Sequence, residues 1–170
     1  MKTVVITTAF LMSVTSALAQ SATESSGANS ALGVAPSTED FVTQTSASDL
    51  FEIESSRLAM QKGDDAIKSF AQTMIADHEK TSDELKALLS SGKAAGTPVA
   101  ALPDNLNESV ADLAKLEGVE FNEQYIDDQV DAHENAVDLF KRYAEDGENP
   151  ELKAFAAKTL PALQHHHKMA

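Results

Sequence analysis

The chain has 170 residues, of which 27 are Asp or Glu and 13 are Lys or Arg, for a formal charge of −14. So acidic a surface repels phosphate backbones and anionic headgroups, which argues against nucleic-acid and membrane-surface partners. Cysteine is absent, which excludes disulfides, thiolate metal ligands and a lipid-bearing cysteine near the amino terminus.

Residues 1–19 read as a secretory signal peptide. Lys2 supplies the positive start, Val4 to Val14 the short apolar run, and Ala17-Leu18-Ala19 the small-residue cleavage site before Gln20. The run is too short for a permanent membrane span, and no other segment rivals it. A soluble protein of the periplasm or the medium is expected, cleaved near Ala19. About 150 residues then remain, enough for one domain. Gln20 to Ser37, rich in Ser, Ala and Gly, reads as a flexible leader.

From residue 38 onward the pattern is helical, with no strand signal. Ser37-Thr38-Glu39-Asp40 caps a first helix that runs to about Gln61 and stops at Gly63. Asp64 or Asp65 caps a second, which ends near Ser90. A loop with Gly96, Pro98 and Pro103 follows, which no helix could cross. Asp104 opens a short helix to about Glu117, and Gly118 bends the path before a long helix from about Glu120 to Glu145. Asn149-Pro150 opens the last, with Asn as N-cap and Pro at the first helical position. Pro161 is expected to kink that helix. Long amphipathic helices joined by tight turns at Gly63 and Gly147 predict an all-α fold. Its form is an antiparallel ferritin-like four-helix bundle over residues 38–170, with the short helix in the crossover.

Three histidines fall on apolar stripes of these helices. The first stripe reads Ile67, Phe70, Ala71, Met74, His78, Thr81, Leu85; the second Ile126, Val130, His133, Val137, Phe140; the third Leu152, Phe155, Ala156, Thr159, Leu163, His166. Glu52 shares a face with Phe41, Thr45 and Ser48. At 1.5 Å per residue, all four positions fall near the middle of helices about 40 Å long. One carboxylate and three imidazoles at one level suit a transition metal such as iron, copper, zinc or manganese. Met74, Tyr125 and Gln129 are neighbours, and Gln129, one turn before His133, is placed to orient that ring. Asp77 and Glu134, adjacent to histidines in sequence, are expected to point elsewhere as surface charge. Of His165, His166 and His167, only one or two can face inward.

A competing reading makes the histidines a buried polar network that fixes helix register or responds to pH. No Glu-x-x-His pair occurs, so the di-iron signature of ferritin-like bundles is missing. A Gly-rich phosphate loop, a His-Glu-x-x-His motif and a nucleophile elbow are also absent, which argues against hydrolase chemistry and leaves any enzymatic role without a motif.

The chain resembles the exported bacterial family called domain of unknown function 4142. The stretches that carry the likeness are Glu52-Ile53-Glu54 through Arg57-Leu58-Ala59, and Phe70-Ala71-Gln72-Thr73-Met74-Ile75-Ala76-Asp77-His78. Further on they are Leu116-Glu117-Gly118 with Phe121 and Tyr125, then His133, and Thr159-Leu160-Pro161-Ala162-Leu163-Gln164 with His165 and His166. Two positions depart from the family's habit: Asn122 and Ala132 stand where an Asp is usual. The resemblance implies a bundle grouped with the ferritin-like folds and points to Glu52, His78, His133 and His166 as the positions of interest. It implies no activity. A metal-binding protein of the periplasm, for storage, buffering or stress protection, is the leading expectation. A non-catalytic envelope protein with structural or pH-responsive histidines is the alternative.

Overall fold

The computed structural model describes residues 22–170. The expected signal peptide, residues 1–19, lies outside the described residues. Six helices follow in order: α1 (Ala28–Leu32), α2 (Thr38–Lys62), α3 (Asp65–Ser90), α4 (Asp104–Leu113), α5 (Gly118–Asp146) and α6 (Pro150–Met169). An additional helical turn covers residues 22–25, and no strand occurs among the described residues.

Local chemistry sets the boundaries. The Ser37 side chain accepts from the Asp40 amide, and the Asp64 carboxylate accepts from the Ile67 amide. Asn149 Oδ1 accepts from the amides of Glu151 and Leu152, with Pro150 directly behind it. Each cap satisfies donors that the first helical turn leaves without partners. Gly147 closes α5 because nothing larger fits: a Cβ there would stand 2.5 Å from the Tyr143 ring. Gly118 enters α5 at φ +60°, a left-handed conformation that glycine adopts without steric cost. The long helix therefore begins at Gly118, two residues earlier than the sequence suggests.

The two tight turns fold α2 back on α3, and α5 back on α6. These hairpins meet through α2 against α5 and α3 against α6, while α4, in the crossover, leans on α2 and α5. Among the described residues, no helix is long and apolar enough to cross a membrane.

Two apolar clusters fill the interior. One gathers Phe41, Val42, Leu85, Phe140, Tyr143, Leu152, Phe155 and Leu163. There Phe41 stacks on Tyr143 at 4.0 Å, and the tyrosine hydroxyl bonds Thr38 at 2.8 Å. The other cluster gathers Ala59, Ile67, Phe70, Met74, Leu113, Phe121 and Tyr125. Along α2, α3 and α5, a set of buried polar residues lies between the two clusters, Asp49, Glu52, Ser55 and Ser56, then His78, then Gln129 and His133, with Phe51 and Ile53 of α2 buried beside them. A polar layer thus divides the core.

The segment expected to be a flexible leader differs in its described part. Glu24 and Asn29 are buried, and Arg142 of α5 bonds both Glu24 carboxylate oxygens, at 2.7 and 3.2 Å, as well as the Val34 carbonyl at 2.7 Å. The Asn29 amide donates to the same carboxylate at 3.0 Å. One buried ion pair with α5 orders a stretch that has little apolar surface of its own to bury.

Candidate metal centre

Three helices bring the imidazoles together. Ring centroids are 5.5 Å apart for His78 and His133, 5.6 Å for His78 and His166, and 5.4 Å for His133 and His166, a nearly equilateral triangle. One ring nitrogen of each lies within 4.8 Å of the others, and all three residues are buried. Glu52 joins from α2, its Oε1 3.6 Å from His133 Nδ1. The three histidines read from the sequence therefore converge on one level of the core, and Glu52 approaches them on the Nδ1 side of His133. Of the three consecutive histidines, His166 is the one turned inward, whereas His165 is exposed and His167 half-buried.

Each ring is held at one nitrogen. His78 Nδ1 lies 2.9 Å from Asp49 Oδ1, which also accepts, through Oδ2, from the Ser82 hydroxyl. His133 Nδ1 donates to the main-chain carbonyl of Gln129 at 2.8 Å. His166 Nε2 lies 2.9 Å from Asp77 Oδ2. An oxygen acceptor at one nitrogen fixes the proton there and leaves the other nitrogen with an unshared pair. Those other nitrogens, His78 Nε2, His133 Nε2 and His166 Nδ1, are buried and have no hydrogen-bond partner, and neither has Glu52 Oε2. Buried polar atoms are almost always paired, and Gln129 Oε1 in the same layer is also without a partner, so this level of the core holds an unusual number of orphans. Histidines anchored through one nitrogen to a carboxylate or carbonyl, with the other nitrogen free, are arranged as metal-binding histidines are.

The electrostatics follow from burial. Burial pushes the Glu52 carboxyl up to about 7, the nearby His78 charge opposing it. Burial, reinforced by the His78 charge, pulls His133 down to about 3, so that ring is neutral at physiological pH. His166 is also lowered by burial, against the pull of its Asp77 hydrogen bond. His78 differs: burial disfavours its charge, but the Asp49 hydrogen bond and the charges of Glu52, Asp49 and Asp77 outweigh that and raise it. Two neutral imidazoles therefore face one that readily holds a proton.

Two anchors were not foreseen. Asp49 continues the stripe Phe41, Thr45, Asp49, Glu52, Ser56, whereas Ser48, assigned to that face from the sequence, is only half-buried. Asp77 does not point away from the site: α6 passes close enough for it to hold His166. Gln129 orients His133 through its backbone, while its side-chain amide donates to Ser55 at 3.2 Å. Met74 is wholly buried in an apolar cluster, and Tyr125 bonds Ser56 at 2.8 Å. Asn122, one of the departures from the family's habit, bonds Asp64 at the Gly63 turn, away from the histidines.

The class defined by these observations is an all-helical protein with a buried three-histidine layer. The profile of the family described as "Domain of unknown function (DUF4142)" matches residues 23–170, and the chain belongs to that family. No curated protein matches it. Among solved structures, a DUF305 fragment from Deinococcus radiodurans is similar with a TM-score of 0.65 at 15% identity, over 79% of this chain and 93% of that one. At that identity the likeness concerns the fold alone.

Proposed function

We propose that the protein binds one divalent transition-metal ion at mid-core, with His78, His133, His166 and Glu52 as ligands. The observation that carries this reading is the set of four buried, unpartnered atoms, one from each of these residues. A structural network of histidines would satisfy both nitrogens of each ring. Here one nitrogen of each ring is satisfied and the other is not.

The donor set narrows the ion. Three imidazoles and one carboxylate, with no thiolate, suit zinc, copper(II) or iron(II), and affinity for such sites rises from iron to copper. Glu52 and Asp49, both buried, together balance two positive charges, which favours a divalent ion over copper(I). Bound, the ion would be held as cargo or as a structural centre. The Lys2 start, the apolar run and Ala17-Leu18-Ala19 support export to the periplasm, where the role is buffering, storage or protection against metal stress. The arrangement of the helices is of the ferritin-like kind, though without that group's di-iron motif.

Titration of the purified mature chain with Cu2+, followed by its visible absorption, tests the reading. Saturation at one equivalent is expected, abolished in His78→Ala, His133→Ala and His166→Ala alike. Spectra that do not change between wild type and these variants contradict it.

A further inference from the structure

We infer that the ion enters and leaves at the His166–Asp77 corner, by outward rotation of residues 162–170 about Pro161. The inference rests on the metal-binding reading and adds the route to it. A site closed on all sides needs a moving part, and its four corners are not equally free to move.

Three corners are locked. Glu52 lies between buried Asp49 and Ser55, His78 between buried Met74 and Leu85, and His133 between buried Gln129 and Ala136. None can leave without drawing a packed helix interior with it. The anchors divide the same way: the Asp49 side chain is 4% exposed, but that of Asp77 is 48% exposed. Of the three anchored corners, the one at His166 is the one whose hydrogen bond borders solvent.

The hinge is chemical. Pro161 has no N–H, so the carbonyl of Ala157, one turn earlier, loses its helical partner. Ala157 and Pro161 are both exposed, which lets water take that carbonyl and makes bending at this point cheap. Before Pro161, α6 is fixed by Leu152, Phe155 and Ala156; beyond it, only Leu163 and His166 are buried. The last turns thus hold His166 with two apolar contacts, Leu163 in the first cluster and Ala170 against the second, and outward rotation must release both. Just outside, the exposed His165 ring lies 6.4 Å from that of His166, offering an imidazole on the solvent side of the same corner.

Stopped-flow release of Zn2+ and Cu2+ from the mature chain into excess chelator tests this, together with affinities from competition. Pro161→Ala restores the missing backbone hydrogen bond and is expected to slow uptake and release together, by roughly tenfold, with Kd unchanged within about twofold. In the metal-free protein, amides of 162–170 are expected to exchange with solvent faster than those of 152–160, and the gap should shrink in Pro161→Ala. Unchanged rates in that variant, or equal protection on both sides of Pro161, overturn the route while leaving the metal site standing. A chain that takes up neither ion overturns both.

Discussion

His133 donates its Nδ1 proton to the main-chain carbonyl of Gln129, 2.8 Å away and one turn earlier on α5. The bond leaves Nε2 buried and unpartnered, and it cannot be removed by changing the Gln129 side chain. Gln129→Ala is therefore expected to leave metal affinity within a few-fold of wild type, as judged by competition with a chelator. Its cost falls on stability instead, because the hydrogen bond from its amide to Ser55 is lost, at about 1 kcal/mol.

The carboxylate anchors differ in weight. Asp49 is buried and Asp77 half-exposed, so water can replace Asp77 but not Asp49. Asp49→Asn is expected to weaken metal binding by about 10- to 100-fold, and Asp77→Asn by clearly less. Equal losses from the two variants, in the same competition assay, would show that burial is not what sets an anchor's contribution.

Glu52 makes the metal-free protein less stable than it need be. Its carboxyl titrates near 7 in the fold against an ordinary value of 4.5. The stabilisation linked to its proton is full below the unfolded value and is lost as pH rises through 7. Glu52→Gln removes that dependence and is expected to stabilise the metal-free chain at pH 8 by up to about 3 kcal/mol, in urea unfolding. The same variant should bind metal more weakly. A residue kept for packing alone would show neither effect.

His133 works in the opposite sense. Its value falls from 6.5 unfolded to about 3 folded, so its contribution is intact above 6.5 and declines as pH drops below that. Between about 4.5 and 6.5 Glu52 and His133 oppose one another in the wild type. Glu52→Gln unmasks the histidine, and its metal-free melting temperature should fall more steeply than the wild type's between pH 7.5 and 5.

Arg142 and Glu24 form a buried pair separated by 118 positions of chain. Glu24→Ala leaves the guanidinium with Asp138 and the Val34 carbonyl, so its cost should lie near the low end for a broken buried pair, about 3 kcal/mol. Limited proteolysis should cut the variant within residues 22–37 much sooner than the wild type.

Most of the helices were legible because their ends carry strong local chemistry: Asp64 after Gly63, and Asn149-Pro150 after Gly147. The three histidines were legible because each interrupts an apolar stripe, which is a local pattern. The Asp49 anchor was harder to see, since the inward face of α2 at this level is itself polar and offers no hydrophobic contrast. Asp77 was misjudged because its position relative to His78 depends on where α6 passes, which no local pattern encodes. The Glu24–Arg142 pair has the same character, as it joins two distant segments through charge alone.

Binding of a metal ion by these four residues is tested most directly by elemental analysis by mass spectrometry. The mature protein would be purified without a histidine tag or chelator from metal-replete periplasm, beside the His78→Ala/His133→Ala double variant. About one equivalent of a single transition metal in the wild type, absent from a folded double variant, is the result expected from the histidine triangle. A folded wild-type protein that carries no metal, and takes up neither zinc, copper nor iron when they are added, would contradict it.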